Sequence, residues 1–338
     1  MKVILLTKRL PQEQNASLKA PEDIQTIFRQ NFGTTYQLYR SDKRIFYNLE
    51  QILNMLILKC KRNKKNTILF VQWPLYPKKP YQEESVFNLG FGRTVAIIHD
   101  IDSLRFYPGD KLKIKQDIKC LNQFDVVICH NIQMQHWLQE QGLHSKIITI
   151  DVFDYLASTN ISYEHSKKYR IVFAGNLDKS EFLAKLKNII TYPVFLYGPI
   201  TQREAIRGMN YMGSFSSSQI VYEIQGEFGL IWDGDNIDSC SGNNGLYMQY
   251  NNPHKLSLYL ACGLPVITWK KAAIAGFIEK NQIGFTVDSL REVDELLNCL
   301  EYDVYLHLLH NVHVVQQSIL KGHYTKAAID KAISMITS

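Results

Sequence analysis

Several signatures of common protein classes are missing from this sequence of 338 residues. It has no apolar run of about 18 residues or more, so no transmembrane helix is predicted. The N-terminal MKVILLTKRL is too short in its apolar part for a signal peptide and is better interpreted as a first strand. The six cysteines form no CxxC pair and have no metal-ligand spacing, which indicates free thiols in a reducing compartment. We therefore predict a cytoplasmic protein.

Charge is also modest, with 21% charged residues and a net charge of +6. One basic run stands out, KCKRNKK at residues 59–65, which we interpret as a solvated helix end and loop. The alternative is a contact with a membrane surface or a polyanion. Hydrophobic residues make up 46% of the chain, which is ample for two globular cores.

What the sequence does contain is a regular alternation of apolar strands and amphipathic helices. Buried-strand runs such as residues 67–71 and 94–98 alternate with helical patterns such as 111–123, and the pattern restarts at residue 170 after an irregular linker. Such strands are typical of a parallel sheet covered on both faces. We predict an α/β fold of two facing, doubly wound, Rossmann-like domains at residues 1–155 and 156–318, followed by a C-terminal helix at 319–338. Ligands of such sheets bind beyond the carboxyl ends of the strands, so we expect a site in the cleft between the domains.

The stretch YNNPHKLSLYLACGLPVITW, residues 250–269, organises the second half. Asn252 is predicted to cap a helix that has Pro253 as its first residue and ends at Gly263. His254 and Lys255 then lie in the first turn, where backbone N–H groups, the helix dipole and the lysine attract an anion such as a diphosphate. The alternative is a solvated Lys255 on a helix that merely packs.

Two further segments of the second half are candidates for the same ligand. In AGNLDKSEF, Gly175 permits close backbone approach, and Lys179 near the next helix could pair with a diphosphate. The segment is neither GxGxxG nor a Walker motif, and an ordinary turn with a surface lysine is the alternative. The loop at 208–218, with Tyr211 and a serine run, could contact a ribose or base, or be a flexible surface loop.

In the first half, the candidates follow predicted strands. His99 and Asp100 begin HDIDSLR at the end of a strand, where the imidazole could be a general base oriented by the carboxylate. The alternative is a helix-capping aspartate beside a satisfied histidine. The loop at 15–19 faces the predicted cleft. We expect no metal and no cofactor, with the helix dipole and lysines stabilising the charge of a leaving group.

These motifs together resemble a known family. FAGNLDKSEF, FGLIWDGD, the 250–269 stretch and AAIAGFIEKNQIGFTVDSL, with IIHDIDSL in the first half, are similar to two-domain glycosyltransferases of the GT-B architecture. More narrowly, the chain resembles the glucosyltransferase family that adds the second sugar to serine-rich-repeat adhesins of streptococci and lactobacilli. Related galactofuranosyltransferases are similar in the same places.

The resemblance implies a UDP-sugar donor bound mainly by the second domain. Lys179 would hold the diphosphate, residues 253–257 would wrap the phosphates and ribose, and Ser17 would approach from the first domain. The family pattern commonly has arginine at the position of Lys179 and glycine at the position of Ser257. The residues implied for the donor are Ser17, Gly175, Lys179, Ser214, Phe215, Asn252, Pro253, His254, Lys255, Leu256 and Ser257.

The function that follows is transfer of glucose from UDP-glucose to an N-acetylglucosamine already linked to a serine-rich glycoprotein, the second step of a protein O-glycosylation. The alternatives are galactofuranosyl or other hexosyl transfer to a cell-surface polysaccharide, or a non-catalytic GT-B homologue that serves as an adaptor. The expected partners are the UDP-sugar and the glycosylated acceptor protein, with no nucleic acid. The family also implies a homo-oligomer, a dimer or tetramer, with the helical tail as its interface.

Overall fold

The computed structural model describes residues 2–8, 18–38, 56–61, 63–75, 86–158 and 168–338. The chain divides into two compact units. The first takes in the N-terminal strand, Ala20–Ile150 and Tyr324–Ser338, and the second consists of Asp151–His323 together with the segment that ends at Lys19.

The first unit is built on a six-stranded, fully parallel sheet. Its strand order is β2-β1-β3-β4-β5-β6. The strands are β1 (Lys2–Lys8), β2 (Thr34–Leu38), β3 (Thr67–Trp73), β4 (Arg93–Ile98), β5 (Val126–Cys129) and β6 (Lys146–Thr149). The helices are α1 (Lys19–Asn31), α2 (Asp102–Arg105), α3 (Lys111–Leu121) and α4 (Ile132–Glu140). Every residue of β3 and β5 is buried, as expected for inner parallel strands covered on both faces.

The second unit contains another six-stranded parallel sheet, in the order β12-β11-β10-β7-β8-β9. The strands are β7 (Ile171–Ala174), β8 (Val194–Tyr197), β9 (Asn210–Gly213), β10 (Phe228–Ile231), β11 (Val266–Trp269) and β12 (Gly284–Val287). The helices that follow β7 in chain order are α5 (Phe182–Leu186), α6 (Ile220–Glu223), α7 (Gly242–Tyr247), α8 (His254–Ala261), α9 (Ala275–Asn281), α10 (Val293–Asn298) and α11 (Tyr302–Ile319).

The strand orders locate the point in each sheet where the chain reverses its winding direction. In the first sheet this switch point lies between β1 and β3, and in the second between β7 and β10. Connections on either side of a switch point leave a crevice at the carboxyl ends of the two strands, and ligands of doubly wound folds bind there. A ligand site in the second unit is therefore expected at the carboxyl ends of β7 and β10.

The predicted fold class is confirmed, and the details bring corrections. The segment 208–218, predicted as a loop, contains edge strand β9, whose exposed and half-buried side chains carry no apolar run. The Gly- and Asn-rich segment between β10 and α8 contains a further short helix, α7. The helical tail is interrupted at Gly322, which has φ 74°, and continues as α12 (His323–Thr337). The latter helix packs with the first unit, where Lys146 Nζ donates to the Met335 carbonyl at 3.1 Å.

Within the described ranges, no helix has the length and apolar character that crossing a membrane would require.

A buried ion pair ties the start of β7 to the start of β10. The carboxylate of Glu227 is fully buried and accepts from the Arg170 backbone N–H at 2.7 Å, from Nε at 3.1 Å and from a terminal guanidinium nitrogen at 2.8 Å. These hydrogen bonds are the main cause of the raised pKa of Arg170. If the guanidinium is removed, the Glu227 carboxylate stays buried without a cation and keeps its desolvation cost. Loss of Arg170 should therefore destabilise the second sheet.

Replacing Arg170 with methionine is expected to lower the free energy of unfolding by about 3 kcal/mol, because it removes the guanidinium from a buried carboxylate. Urea unfolding followed by circular dichroism measures the change. Arg207→Met is the matched control, since Arg207 pairs with Glu204 on the surface and both side chains are about four-fifths exposed. We expect the control to change stability by no more than about 0.5 kcal/mol. Equal effects of the two variants would contradict the prediction.

Candidate functional site

The ends of β7 and β10 are bridged by one lysine. The Lys255 ammonium lies 2.8 Å from both carboxylate oxygens of Asp233, which follows β10. Its Cε occupies the space beside Gly175, just after β7, where an added Cβ would come within 3.1 Å. The ammonium also lies 5.0 Å from the centre of the Phe173 ring. Lys255 is therefore positioned at the switch point of the second sheet, with its side chain 15% exposed.

The same lysine belongs to the first turn of α8. The helix begins at His254 with Pro253 as its N-cap, so the predicted cap at Asn252 is wrong by one residue. Pro253 has no side-chain acceptor and so makes no side-chain capping hydrogen bond. The positive end of the helix dipole and the Lys255 ammonium therefore lie together at the switch point, an arrangement that attracts anions.

Three neighbouring candidates have their side chains engaged within the protein. The Asn252 amide donates to the Asp151 carbonyl at 2.9 Å, and the buried Ser257 hydroxyl donates to the Phe153 carbonyl at 2.7 Å. Leu256 is fully buried. These contacts fix the start of α8 against residues 151–153.

His254 is held in an apolar and cationic environment. Its ring centre lies 5.4 Å from that of Tyr155 and 6.3 Å from that of Phe153. Nearby, the Lys19 ammonium donates to the Leu156 carbonyl at 2.7 Å and lies 4.8 Å from the centre of the Tyr155 ring. Burial, followed by the charge of Lys19, lowers the pKa of His254 to about 3. His254 is therefore neutral at pH 7, and its buried Nε2 has no hydrogen-bond partner among the described residues.

The segment after β7 presents a second lysine. Asn176 caps a short 3₁₀ helix, Leu177–Lys179, by accepting from the Lys179 backbone N–H at 3.3 Å. Lys179 itself is exposed. Gly198, after β8, supports this turn, because it has φ 134° and any Cβ there would lie 1.9 Å from the Gly175 carbonyl oxygen. Close packing of the turns after β7 and β8 thus requires glycine at position 198.

The predicted nucleoside loop follows edge strand β9. Ser214 is exposed and Phe215 half-buried. The Phe215 ring lies 3.3 Å from where a Cβ on Gly213 would stand, and its centre lies 6.3 Å from that of Tyr197. The loop is anchored by Tyr155, whose hydroxyl donates to the Ser217 carbonyl. An aromatic face and an exposed hydroxyl therefore follow β9 at its carboxyl end.

In the first unit, a polar cluster lies at the carboxyl ends of β3, β4 and β5. His99 Nε2 is hydrogen-bonded to the side-chain oxygen of Gln72, and the Gln72 amide nitrogen donates to the Pro21 carbonyl at 3.1 Å. That donation points the Gln72 oxygen at His99, so Nε2 carries the proton and Nδ1 is the nitrogen able to accept one. His130, at the end of β5, is hydrogen-bonded to the backbone of Ile98 and His99.

Asp100 has a different partner from the one predicted. Its carboxylate accepts from Arg105 at 2.8 Å, whereas the imidazole of His99 is oriented by the Gln72 amide. An amide near the end of a buried strand carries little sequence signal, and Gln72 is the next-to-last residue of β3. For Asp233, in FGLIWDGD, the sequence signal is an acidic residue shortly after a buried strand. Ser17 lies outside the described residues.

The sequence contains two Asp-x-Asp triplets, a pattern that can hold a divalent ion, at Asp100-Ile101-Asp102 and Asp233-Gly234-Asp235. Asp100 pairs with Arg105, and Asp233 with Lys255. In the ranges the structure describes, no three His, Cys, Asp or Glu side chains are arranged to hold a metal ion.

The buried His130 and the half-buried His254, whose Nε2 atom is buried, predict acid sensitivity. Burial lowers the pKa of His130 to about 4 and that of His254 to about 3, whereas an unfolded histidine titrates near 6.5. Between the folded and unfolded pKa values, the unfolded chain binds more protons than the folded chain. The free energy of unfolding is therefore highest above about pH 6.5 and decreases as the pH falls. We expect a loss of about 2 kcal/mol per histidine between pH 7 and pH 5.

Urea unfolding at the two pH values tests this expectation, with His130→Gln and His254→Gln each removing part of the pH dependence. His136→Gln is the control, because His136 is exposed on α4. Identical pH dependence in all three variants and the wild type would contradict it.

Together, the two doubly wound units and the anion-attracting switch point are the features of GT-B glycosyltransferases. Lipopolysaccharide outer core galactosyltransferase WaaB has the same fold, with a TM-score of 0.62 at 11% identity over 99% of both chains. The UDP-forming α,α-trehalose-phosphate synthase of Burkholderia vietnamiensis also has a TM-score of 0.62, at 9% identity over 99% of this chain and 100% of that one.

The chain belongs to the glucosyltransferase 3-like family. The N-terminal domain of that family matches residues 3–152, and the C-terminal domain matches residues 171–332. Beta-1,6-galactofuranosyltransferase WbbI of Escherichia coli K12 is 37% identical over 71% of each chain. Glucosyltransferase 3 of Streptococcus gordonii is 24% identical over 80% of each. The predicted family and the prediction of a glycosyltransferase are thus confirmed.

Proposed function

We propose that this glycosyltransferase transfers a hexosyl group from a UDP-hexose that is bound by the second unit. The observation that carries the proposal is the position of Lys255, which lies at the β7–β10 switch point and in the first turn of α8. A nucleoside diphosphate is the anion that suits a doubly wound fold at this point. The aromatic side chain of Phe215 supports a nucleoside contact after β9.

The charge that develops on the leaving UDP would be stabilised by groups already in place. Lys255 and the first N–H groups of α8 supply positive charge that needs no reorganisation, and the exposed Lys179 adds a second ammonium. Asp233 orients Lys255 and, with its side chain 29% exposed, can also accept hydrogen bonds from hexose hydroxyls. This ion pair would thus contact both the phosphate and the sugar of the donor.

We assign His99 as the general base that takes the proton of the acceptor hydroxyl. Gln72 fixes the ring so that Nδ1 is the proton acceptor, in the way that a carboxylate does in other enzymes. Asp100 positions Arg105 rather than accepting that proton. The acceptor would accordingly bind at the carboxyl edge of the first sheet.

For the substrates, we propose UDP-glucose as the donor and a protein-linked N-acetylglucosamine of a serine-rich glycoprotein as the acceptor. Membership in the glucosyltransferase 3-like family supports this choice, as do relatives named glucosyltransferase 3 in Streptococcus gordonii and Streptococcus parasanguinis, at 24% and 26% identity. The cytoplasmic location and the homo-oligomer predicted from the sequence are part of the same proposal.

A second donor is favoured by a specific observation. The relative with 37% identity is named a beta-1,6-galactofuranosyltransferase, which supports UDP-galactofuranose as the donor and a polysaccharide as the acceptor. Both donors present the same diphosphate to Lys255 and differ in the sugar next to Asp233. The site described here therefore serves either reaction.

A panel of UDP-sugars tests the proposal, with UDP release measured in the presence of a GlcNAc-serine-repeat peptide or a galactose-terminated oligosaccharide. UDP-glucose turnover with the peptide is expected. Turnover with UDP-galactofuranose and the oligosaccharide would favour the second candidate.

Lys179→Ala should weaken UDP binding about tenfold, whereas Lys187→Ala, which removes another exposed lysine, should not. Absence of UDP binding and of turnover with every donor would overturn the proposal.

A further inference from the structure

Three large apolar side chains are exposed within one short segment, residues 106–112, between β4 and β5. Leu112 is 74% exposed, more than any other large apolar side chain in the described part of the chain. Tyr107 and Phe106, in the preceding turn, are 49% and 48% exposed. A single exposed leucine is ordinary, but a group of exposed apolar side chains in one short segment marks an interaction surface.

Lysines surround these apolar side chains. Lys115 and Lys119 are exposed and follow Leu112 by three and seven positions, so all three lie on the outward face of α3. The Lys113 ammonium lies 5.2 Å from the centre of the Tyr107 ring. We call Phe106, Tyr107, Leu112, Lys113, Lys115 and Lys119 the Leu112 patch.

The acidic residues of the segment are engaged in the fold. Asp110 caps α3 by accepting from the backbone N–H groups of Leu112 at 3.0 Å and Lys113 at 3.2 Å. Asp117 accepts from the Ser103 backbone N–H at 3.0 Å, and burial raises its pKa. The inward face of α3 is anchored by the buried Ile118 and Leu121. The helix therefore holds a basic and apolar surface outward on a fixed support.

We propose that the Leu112 patch docks the protein on the surface of an anionic lipid bilayer. Aromatic rings favour the headgroup region, a leucine side chain inserts below it, and lysines extend their stems along the apolar surface while their ammonium groups meet anionic headgroups. Lysines and apolar groups are interleaved within one short segment. A partner must therefore offer negative charge and apolar contact within a few ångströms of each other, as a lipid interface does. The proposal is independent of the donor and the acceptor.

Vesicle co-sedimentation of the full chain provides the test. The wild type should bind vesicles of phosphatidylcholine with 30% phosphatidylglycerol and not vesicles of phosphatidylcholine alone. The triple variant Lys113→Gln, Lys115→Gln, Lys119→Gln should bind roughly 100-fold less, at about fivefold per lysine. The control triple variant Lys187→Gln, Lys326→Gln, Lys331→Gln removes the same charge from exposed positions outside the patch and should bind like the wild type.

Measuring how deeply position 112 inserts into the vesicle distinguishes a bilayer from other anionic partners. In the variant Leu112→Trp, brominated lipids should quench the added tryptophan fluorescence, and heparin should not displace the protein from vesicles at equal charge. Equal loss of binding in both triple variants would show that net charge alone is responsible and would overturn the proposal. Absence of vesicle binding by the wild type, or of quenching, would also overturn it. Circular dichroism confirms that each variant is folded.

Discussion

Lys255→Met is expected to reduce kcat/KM for the UDP-hexose by about 1,000-fold, because it removes the cation that meets the developing charge of the leaving diphosphate. The variant also leaves the Asp233 carboxylate, beside the proposed diphosphate position, with no Lys255 ammonium to neutralise it. Both consequences act on the same ligand, so UDP affinity should fall together with turnover. Initial-rate kinetics and calorimetric titration with UDP measure the two effects.

The double variant Lys255→Met, Asp233→Asn separates these contributions. Because the two residues are in contact, their effects should not add, and the double variant should recover about tenfold of the lost UDP affinity. Lys270→Met is the matched control, since Lys270 pairs with Asp288 where both side chains are about three-fifths exposed. A Lys255→Met enzyme with the UDP affinity of the wild type would exclude the switch point as the donor site.

His99→Asn is expected to lower kcat by about 1,000-fold, the usual effect of removing a general base. UDP affinity should be unchanged, because the proposed nucleotide contacts all belong to the second unit. Gln72→Leu should lower kcat by about tenfold, since the imidazole remains but its orientation and tautomer are no longer specified. Steady-state kinetics at saturating donor measure both changes.

His136→Asn serves as the control for this pair, because His136 is exposed on α4. If His99→Asn retained the wild-type kcat, the catalytic assignment would be wrong, while the donor site at Lys255 would be unaffected. If Gln72→Leu were as impaired as His99→Asn, Gln72 would have a larger role than orientation.

Much of the architecture could be predicted because parallel strands buried on both faces leave a strong pattern. Residues 67–71 and 94–98 are apolar almost throughout, and both became inner strands of the first sheet. Edge strand β9 escaped prediction because one side of an edge strand meets solvent, so it needs no such run. The start of α8 was misplaced by one residue: Pro253 is its N-cap, and the Asn252 amide nitrogen donates to the Asp151 carbonyl, far away in the sequence.

The candidate site, like the fold, could be predicted from the sequence only in part. The sequence by itself determined the two-domain α/β class, the family and the place of Lys255 in the first turn of a helix, because strand and helix periodicity and a helix start are local features. Only the tertiary structure decided that Lys255 pairs with Asp233, that Gln72 orients His99, and that Ser257 and Leu256 face inward. The physical reason is that parallel strands bring together residues separated by a whole crossover. Which side chains meet at a sheet edge therefore depends on strand order, which no local pattern specifies.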